Sequence, residues 1–351
     1  MARDVSMSWN RRFSDEEYHH AYVAAGNNAC EAGRNLGASE KAVREGNKRY
    51  LQKKPLSEAG YELARPEETP EEAWRSHTAT FERTLTERTK NHWAVITRPR
   101  GAFVVYHSTD QHIDDNATPL NVLEADIEAS HGLDAVMCHG GDLLNNWPLA
   151  GKLAAQWADQ DCTKPRALLR AQHYIEIMKP DAWVDGNHEE MNPYLTDLLK
   201  QWLPKKTIQD KWTVRFIVKP KGGREFRIAM SHKFQKGSSW FHTSHGALRE
   251  GMEGEEADCY LEGHLHVNGI MYRTLAERGF SFCAVSSAGY KMLDKYASRI
   301  SRGGVIPKVK GRAHWLVCDD QAEGPEMPVV AFEEPWQAEA YLNGLQNLRA
   351  A

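Results

Sequence analysis

The pattern of apolar and polar positions changes twice along the chain. Over residues 13 to 52, Ala, Glu, Leu and Arg dominate while Asn and Gly interrupt them, which predicts short helices. From 53 to about 100 the text is polar, with Pro55, Pro66 and Pro70, and "PEEAWRSHTATFERTLTERT" reads as one helix in a spacer. From 102, "AFVVYH", "DAVMCH" and "AWVD" read as strands, and "PLNVLEADIEAS" and two runs reaching about 178 read as helices between them. Strands alternating with helices argue for an α/β domain of three or four layers. "WTVRFIVK", "REFRIAMSH", "DCYLEGH" and "FSFCAVSS" are strand-like with fewer helices between them, so a second sheet is expected. "AHWLVC" and "MPVVAFEE" add two strands, and "PWQAEAYLNGLQNLRAA" a closing helix packed by Trp336 and Tyr341. The expected division is a helical domain over 1–56, a linker with a helix over 57–100, the α/β domain over 101–334, and a C-terminal helix over 335–351.

Composition narrows what such a chain can do. Its 351 residues, 41% hydrophobic, suffice for a substantial core. A mean hydropathy of -0.63 and the lack of a long apolar run exclude a membrane span. The opening "MARDVSMSWNRRFSDEE" is charged where an export signal is apolar, so a cytoplasmic protein is expected. Six cysteines without a CxxC pair point to thiols rather than to disulfides or a zinc finger. A net charge of -4 gives no global sign of a polyanion partner, so any nucleic-acid surface must be local.

One local candidate exists. Between Arg34 and Lys54, seven basic residues against two acidic ones leave five net positive charges. "AGRNLGASEKAVREGNKRYL", residues 32 to 51, resembles a helix-turn-helix: Gly37 stands at the turn, Ala32, Leu36, Ala38 and Val43 at buried-type positions, and Ser39 at the cap of the second helix. In that arrangement Arg34, Lys41, Arg44, Lys48 and Arg49 would contact phosphates. An amphipathic helical pair with a solvated charged face fits the same pattern. Gly33 and Gly46 are mild costs to the helices.

Candidate chemistry begins at "YLEGHLHVNG", where His264 and His266 follow an apolar run and Gly263 allows a close backbone turn. Side chains at i and i+2 of an extended segment point the same way, so the two rings are expected to converge on one point. A lone histidine at a strand end is ordinarily a packing residue; a convergent pair suggests metal. Two ligands are too few, and the others appear at further strand ends. "YHSTDQHID" supplies Asp110 and His112, "HGGDLLNN" Asp142, "DGNHEE" Asn187 and His188, and "MSHKF" His232. Open α/β sheets place their sites beyond the carboxyl ends of strands, so these segments can meet in one crevice. An isolated Gly-Asp or Gly-Asn-His is more often a turn; the ordered set carries the argument.

DxH, GD, GNHE, a lone His after a strand, and GHxH, in that order over roughly 102 to 290, resemble the calcineurin-like metallophosphoesterase superfamily. The resemblance implies a four-layer αββα sandwich behind the small N-terminal helical domain. GNHE and Asn145 are similar to double-strand-break repair nucleases and their phage relatives, as is "SHKFQKGSSWFHTSHG", with its Gly-Ser pair and His-Gly. An Arg that many phosphatases carry shortly after Gly-Asp is absent, and Lys233 follows His232 where some relatives have an acid. Carried over by position, one metal is expected on Asp110, His112, Asp142 and His266, and another on Asp142, Asn187, His232 and His264, with Asp142 bridging. Two such ions would offset the charge of a phosphate ester and lower the pKa of a water between them, so that hydroxide attacks in line. His188 is expected to act on the substrate rather than to hold metal.

The donor set admits manganese, iron, cobalt, nickel or zinc, and the resemblance favours manganese. Asn145 and His245 are candidate substrate contacts; His139 and His242 are expected behind the ligands or at the surface. The expected function is that of a dinuclear-metal phosphodiesterase acting on nucleic acid, DNA above RNA, in the cytoplasm of a bacterial or infected cell. Two alternatives keep their place: a phosphomonoesterase or small-nucleotide phosphodiesterase, and a DNA-binding phage protein in which hydrolysis is incidental.

Overall fold

Side chains alternate along every buried strand, and that alternation sorts the interior into separate cores. The computed structural model describes residues 13–53, 69–89, 93–147, 160, 162–234, 243–292, 311–323 and 327–350. The chain divides into two compact units, Met1–Asn91 and His92–Ala351.

In the first unit, α1 (Asp15–Ala24), α2 (Ala29–Leu36) and α3 (Glu40–Lys53) enclose a small core of Tyr18, Ala29, Ala32 and Val43, with Leu36 and Ala38 packed against it. Ser14 caps α1 by accepting from the Glu17 N–H, and the Ser39 hydroxyl accepts from the Ala42 N–H at 3.2 Å at the start of α3. Gly37 closes α2 at φ 65°, a left-handed position that suits glycine. Gly46 has a packing reason, because a Cβ there would lie 2.3 Å from Cδ2 of Tyr18. The expected helix pair therefore forms, and α1 packs across it. A further helix, α4 (Pro70–Thr89), follows.

The second unit contains β1 (Ala94–Arg98), β2 (Phe103–Ser108), α5 (Leu120–Gly132), β3 (Val136–His139), α6 (Lys164–Met178), β4 (Ala182–Val184), α7 (Asn187–Glu190), α8 (Pro193–Lys200), β5 (Ile208–Asp210), β6 (Thr213–Pro220), β7 (Phe226–Ser231), α9 (His245–Glu253), β8 (Cys259–Glu262), β9 (Gly269–Leu275), β10 (Phe280–Ser286), β11 (Ala313–Cys318), β12 (Val329–Phe332) and α10 (Pro335–Ala350). They form two six-stranded mixed sheets, ordered β1-β6-β7-β8-β10-β9 and β12-β11-β2-β3-β4-β5. The second sheet was expected. Strand β1 lies where a spacer was expected; its Ala94 and Ile96 face the core, and it pairs in parallel with β6. A five-residue strand flanked by charged text gives too little periodicity to stand out.

Phe103, Val105, Val136, Cys138, Phe226, Ile228, Cys259 and Leu261 point between the sheets. The alternate residues Val104, Tyr106, Met137 and Trp183 face α5 and α6, where Leu123, Ile127, Ala171 and Tyr174 meet them. On the far side Ala229, Tyr260 and Phe282 pack with Ala247 of α9. Strands buried on both faces read as continuous apolar runs, which is why they were legible. Each fully buried Val, Leu or Phe contributes about 1.5–3 kcal/mol. Helix α10 belongs to the same body: its Ala338 and Leu342 join the core that holds Tyr106 and Trp315. Among the described residues no helix is long and apolar enough to cross a membrane.

Candidate metal centre

Parallel pairing of β2 with β3 and of β3 with β4 brings their carboxyl ends to one edge. From those ends come Asp110 and His112, then Asp142, then Asn187 and His188. On the other sheet β7 and β8 run parallel side by side and lead to His232 and to His264 and His266. Three overlapping groups of donor atoms result: Asp110, His112 and His266; His112, Asp142 and His188; and Asp142, His232 and His264, the atoms of each within 4.8 Å of one another.

Their spacing could hold a cation. Asn187 Oδ1 lies 3.1 Å from His232 Nε2 and 2.8 Å from His264 Nδ1, and those two ring nitrogens are 3.2 Å apart. Asp142 Oδ2 is 3.3 Å from His232 Nε2, while His266 Nε2 is 3.2 Å from Asp110 Oδ1. His112 is buried, yet neither of its nitrogens has a hydrogen-bond partner among the described residues. A buried imidazole so placed is costly unless something accepts its lone pair. These residues therefore fit a divalent ion, and their imidazole, amide and carboxylate atoms suit a borderline metal.

The expectation that His264 and His266 share one extended segment and converge is corrected by the backbone. Both adopt left-handed conformations, φ 71° and 50°, and the rings part company: His264 joins Asp142 and His232, whereas His266 joins Asp110 and His112. Asp110, His112 and Asp142 are also left-handed, at φ 51°, 44° and 56°. Such conformations cost on the order of 1–3 kcal/mol each and persist where the surroundings over-determine them. Close backbone approach does so here. A Cβ on Gly186 would lie 2.0 Å from Asp142 Oδ1, and one on Gly263 2.4 Å from Asp110 Oδ2.

Electrostatics prepare the same atoms. Burial alone would raise the Asp142 carboxyl, but the charges of His232 and His188 outweigh it and hold the pKa below the usual carboxylate range. Asp110 behaves likewise: burial opposes, and His266, His232 and His112 win. Burial, with the neighbouring imidazoles, keeps His112 well below its ordinary value, and it brings His264 down to about 4. Burial would also keep His232 neutral, but Asp142 and Asp110 raise it to about 10. A cation bound through this ring would have to displace that proton.

Two positioning carboxylates were missed from the sequence. Glu189 accepts from the backbone N–H groups of Asp142 at 2.8 Å, Leu143 at 2.9 Å and Gly186 at 2.7 Å, so it holds the Asp142 loop to the Asn187 loop. Its place three residues after Gly186 is a capping spacing that could have betrayed it. Glu262 lies buried against the start of α9, where a Cβ on Gly246 would come 2.4 Å from its Oε2. Burial pushes both acids up to about 7.

The remaining expected residues fall in different places. His188 Nδ1 donates to the Asn145 carbonyl, leaving Nε2 toward the cluster at 3.9 Å from Asp142 Oδ2. Asn145 is fully buried, its Nδ2 given to Asp115 at 2.9 Å, so it reaches the site through His188 and not as a surface contact. His139 is buried and stacked on Trp183 at 3.7 Å, which removes the surface alternative for it. His245 is exposed at the first residue of α9 and joins none of the clusters. His242, Gly237 and Ser238 lie outside the described residues. In the first unit Arg34, Lys41, Arg44 and Lys48 are exposed, Arg44 pairing with Glu40 at 2.6 Å. Arg49 instead pairs with Asp15 at 2.9 Å, fastening α3 to α1.

No protein-family model and no curated protein matches this sequence.

A divalent ion should stabilise the fold by mass action, about 2.7 kcal/mol at a hundredfold excess over Kd. Adding Mn²⁺ to metal-free protein is expected to raise Tm by several degrees, and Asp142→Ala to abolish the rise. A Tm indifferent to Mn, Fe, Co, Ni and Zn would remove the metal centre.

His314 Nδ1 meets Ser287 Oγ at 2.8 Å deep in the fold, and burial lowers its pKa to about 3. The unfolded chain, with a pKa near 6.5, takes up a proton there that the native state refuses. Stability is therefore lost as pH falls from about 6.5 to 3, at about 1.4 kcal/mol per pH unit for this one group. Urea unfolding between about pH 6 and 4 should give a slope shallower by that amount in His314→Asn. An unchanged slope would contradict a neutral buried imidazole.

Proposed function

We propose that this chain is a metal-dependent phosphodiesterase of the calcineurin-like metallophosphoesterase type, acting on nucleic acid and on DNA in particular. The observation that carries the reading is the meeting of Asp110, His112, Asp142, Asn187, His232, His264 and His266, drawn from separate strand ends, with His188 beside them. The two facing mixed sheets with helices on both outer faces are compatible with that superfamily's sandwich.

Asp142 groups with His232 and His264 on one side and with His112 on the other, and His112 in turn groups with Asp110 and His266, which supports a pair of sites bridged by the Asp142 carboxylate. Divalent ions held there would offset the charge of a phosphate ester and supply a nucleophilic water near neutral pH; manganese is our choice among the borderline metals. The protein's own residues do the rest. Asp110 and Asp142 stay ionised, and His112 and His264 stay neutral. In its imidazolium form His188 keeps its Nδ1–H on a carbonyl and can pass a proton only from Nε2, the nitrogen that faces the cluster, leaving the neutral Nδ1–H ring behind. That suits the oxygen leaving a diester.

Support for DNA comes from the first unit. Lys41, Arg44 and Lys48 recur at i, i+3 and i+7 and so share one exposed face of α3, with Arg34 on α2. A helix so charged, after a three-residue turn, is suited to phosphate contacts beside the major groove.

Protein reloaded with Mn²⁺ should cleave bis-p-nitrophenyl phosphate in preference to p-nitrophenyl phosphate, and should cut linear or circular DNA. His188→Ala should retain metal by elemental analysis while losing about 10²–10⁴ in rate. Loss of metal along with rate would make His188 a ligand, as its group with His112 and Asp142 permits. A preference for the monoester would move the enzyme to the phosphomonoesterases.

Changing Lys41, Arg44 and Lys48 together to Ala should weaken DNA binding and reduce the slope of log K against log[salt] by about 2.7, near 0.9 for each phosphate contact. An unaltered slope would make α3 a packing element.

A further inference from the structure

Lys291 follows β10 in a segment pressed against the candidate centre. The Tyr290 N–H donates to the Asp110 carbonyl at 3.1 Å, and the Met292 N–H to the Ala117 carbonyl at 3.1 Å, so the backbone on either side of Lys291 is fixed. Gly289, at φ 75°, makes the approach possible, because a Cβ there would lie 2.5 Å from that of Asp110. The Lys291 side chain is almost fully buried and carries a charge that needs a purpose.

Its ammonium lies 3.0 Å from Asp115 Oδ2 and 5.6 Å above the Trp147 ring. Both neighbours lead to His188. Asp115 Oδ2 also accepts from Asn145 Nδ2 at 2.9 Å, and the Asn145 carbonyl accepts from His188 Nδ1. The Asn145 N–H is held by Asp114 Oδ1 at 2.7 Å, and Gln160 Nε2 donates to the other oxygen of Asp114 at 2.9 Å. Trp147 meets the His188 ring edge to face, with centroids 5.0 Å apart. The imidazole is thus gripped by a carbonyl on one side and an indole on the other, and one cation lies over the indole and pairs with the carboxylate that holds the Asn145 side chain.

We propose that Lys291 is a positioning residue for His188: through Asp115 and Asn145, and through Trp147, it fixes the ring with Nδ1 on the carbonyl and Nε2 toward the phosphate. The inference rests on the role given to His188 above. Lys291 does not itself meet substrate. Neutralising it leaves Asp115 without its cation, loosens the Asn145 carbonyl and lets the ring rotate. The damage falls on proton delivery and leaves substrate binding intact.

The test compares full-length, Mn-loaded protein and its Lys291→Met variant on two thymidine 5′-diesters. One leaves as p-nitrophenolate, which needs no proton, and the other as a sugar alkoxide, which does. Lys291→Met should lose about 10–100-fold in kcat on the alkoxide substrate and under about threefold on the nitrophenyl one, with KM little changed. Asp115→Asn, which keeps the shape and removes the charge, should show the same selectivity and guards against a folding defect in the first variant. Nitrogen-15 spectra of metal-free protein supply a readout independent of activity: neutral His188, the form that proton delivery leaves behind, should be a single Nδ1–H tautomer in the parent chain and a mixture in both variants. Equal losses on the two leaving groups, or an unchanged tautomer, would overturn the clamp. Absence of hydrolysis by the parent chain on every diester would overturn the phosphodiesterase assignment instead, and the tautomer would still decide the clamp.

Discussion

Asp142 is a buried carboxylate that belongs to two groups of donor atoms, and much of the local architecture follows from holding it still. Its backbone is left-handed, its N–H is given to Glu189, and its Oδ1 takes the His188 N–H at 2.9 Å. Gly186 can have no side chain because Asp142 occupies the space. A charge so deeply placed survives because imidazoles and backbone amides surround it. The two sheets act as the jig, presenting loops from β2, β3, β4, β7 and β8 around one carboxylate.

The loops carry strain that the cores can sustain. Left-handed aspartates and histidines are unfavourable locally, yet each emerges from a strand whose neighbours are apolar on both faces. Glu189 and Glu262, neither of them expected ligands, use buried carboxylates to accept from backbone N–H groups of the segments that follow those strands. The Lys291 network extends that logic outward, from residues that would hold metal to residues that would hold a proton donor.

The two units serve different physics. The first is small, with a core of few side chains and an exposed face that carries Lys41, Arg44 and Lys48. Arg49 shows how such a face is limited: read along the chain it belongs with its basic neighbours, but its guanidinium is spent on Asp15. A count of charges cannot tell a cation aimed at solvent from one that closes a helix pair.

The strands from Phe103 to Phe332 were largely legible, because burial on both faces writes an apolar run that no polar loop imitates. The clustered Asp, Asn and His residues were legible as well, since each stands soon after such a run and donor chemistry restricts its type. Strand β1, five residues with alternating partial exposure, was not. The i, i+2 spacing also misled over His264 and His266, which the family resemblance had set on different metals: spacing two apart fixes direction only in an extended backbone, and here both residues are left-handed. Glu189, Asp115 and Lys291 lay beyond reach for a further reason. Their roles are hydrogen bonds and ion pairs between segments distant in sequence, and only the packed sheets bring those segments together. The sequence by itself determined which residue types could bind metal and where the strands would end, because both are local. Which donors face one another, and which nitrogen of His188 is left for chemistry, was decided by tertiary packing alone, since those are distances across the fold.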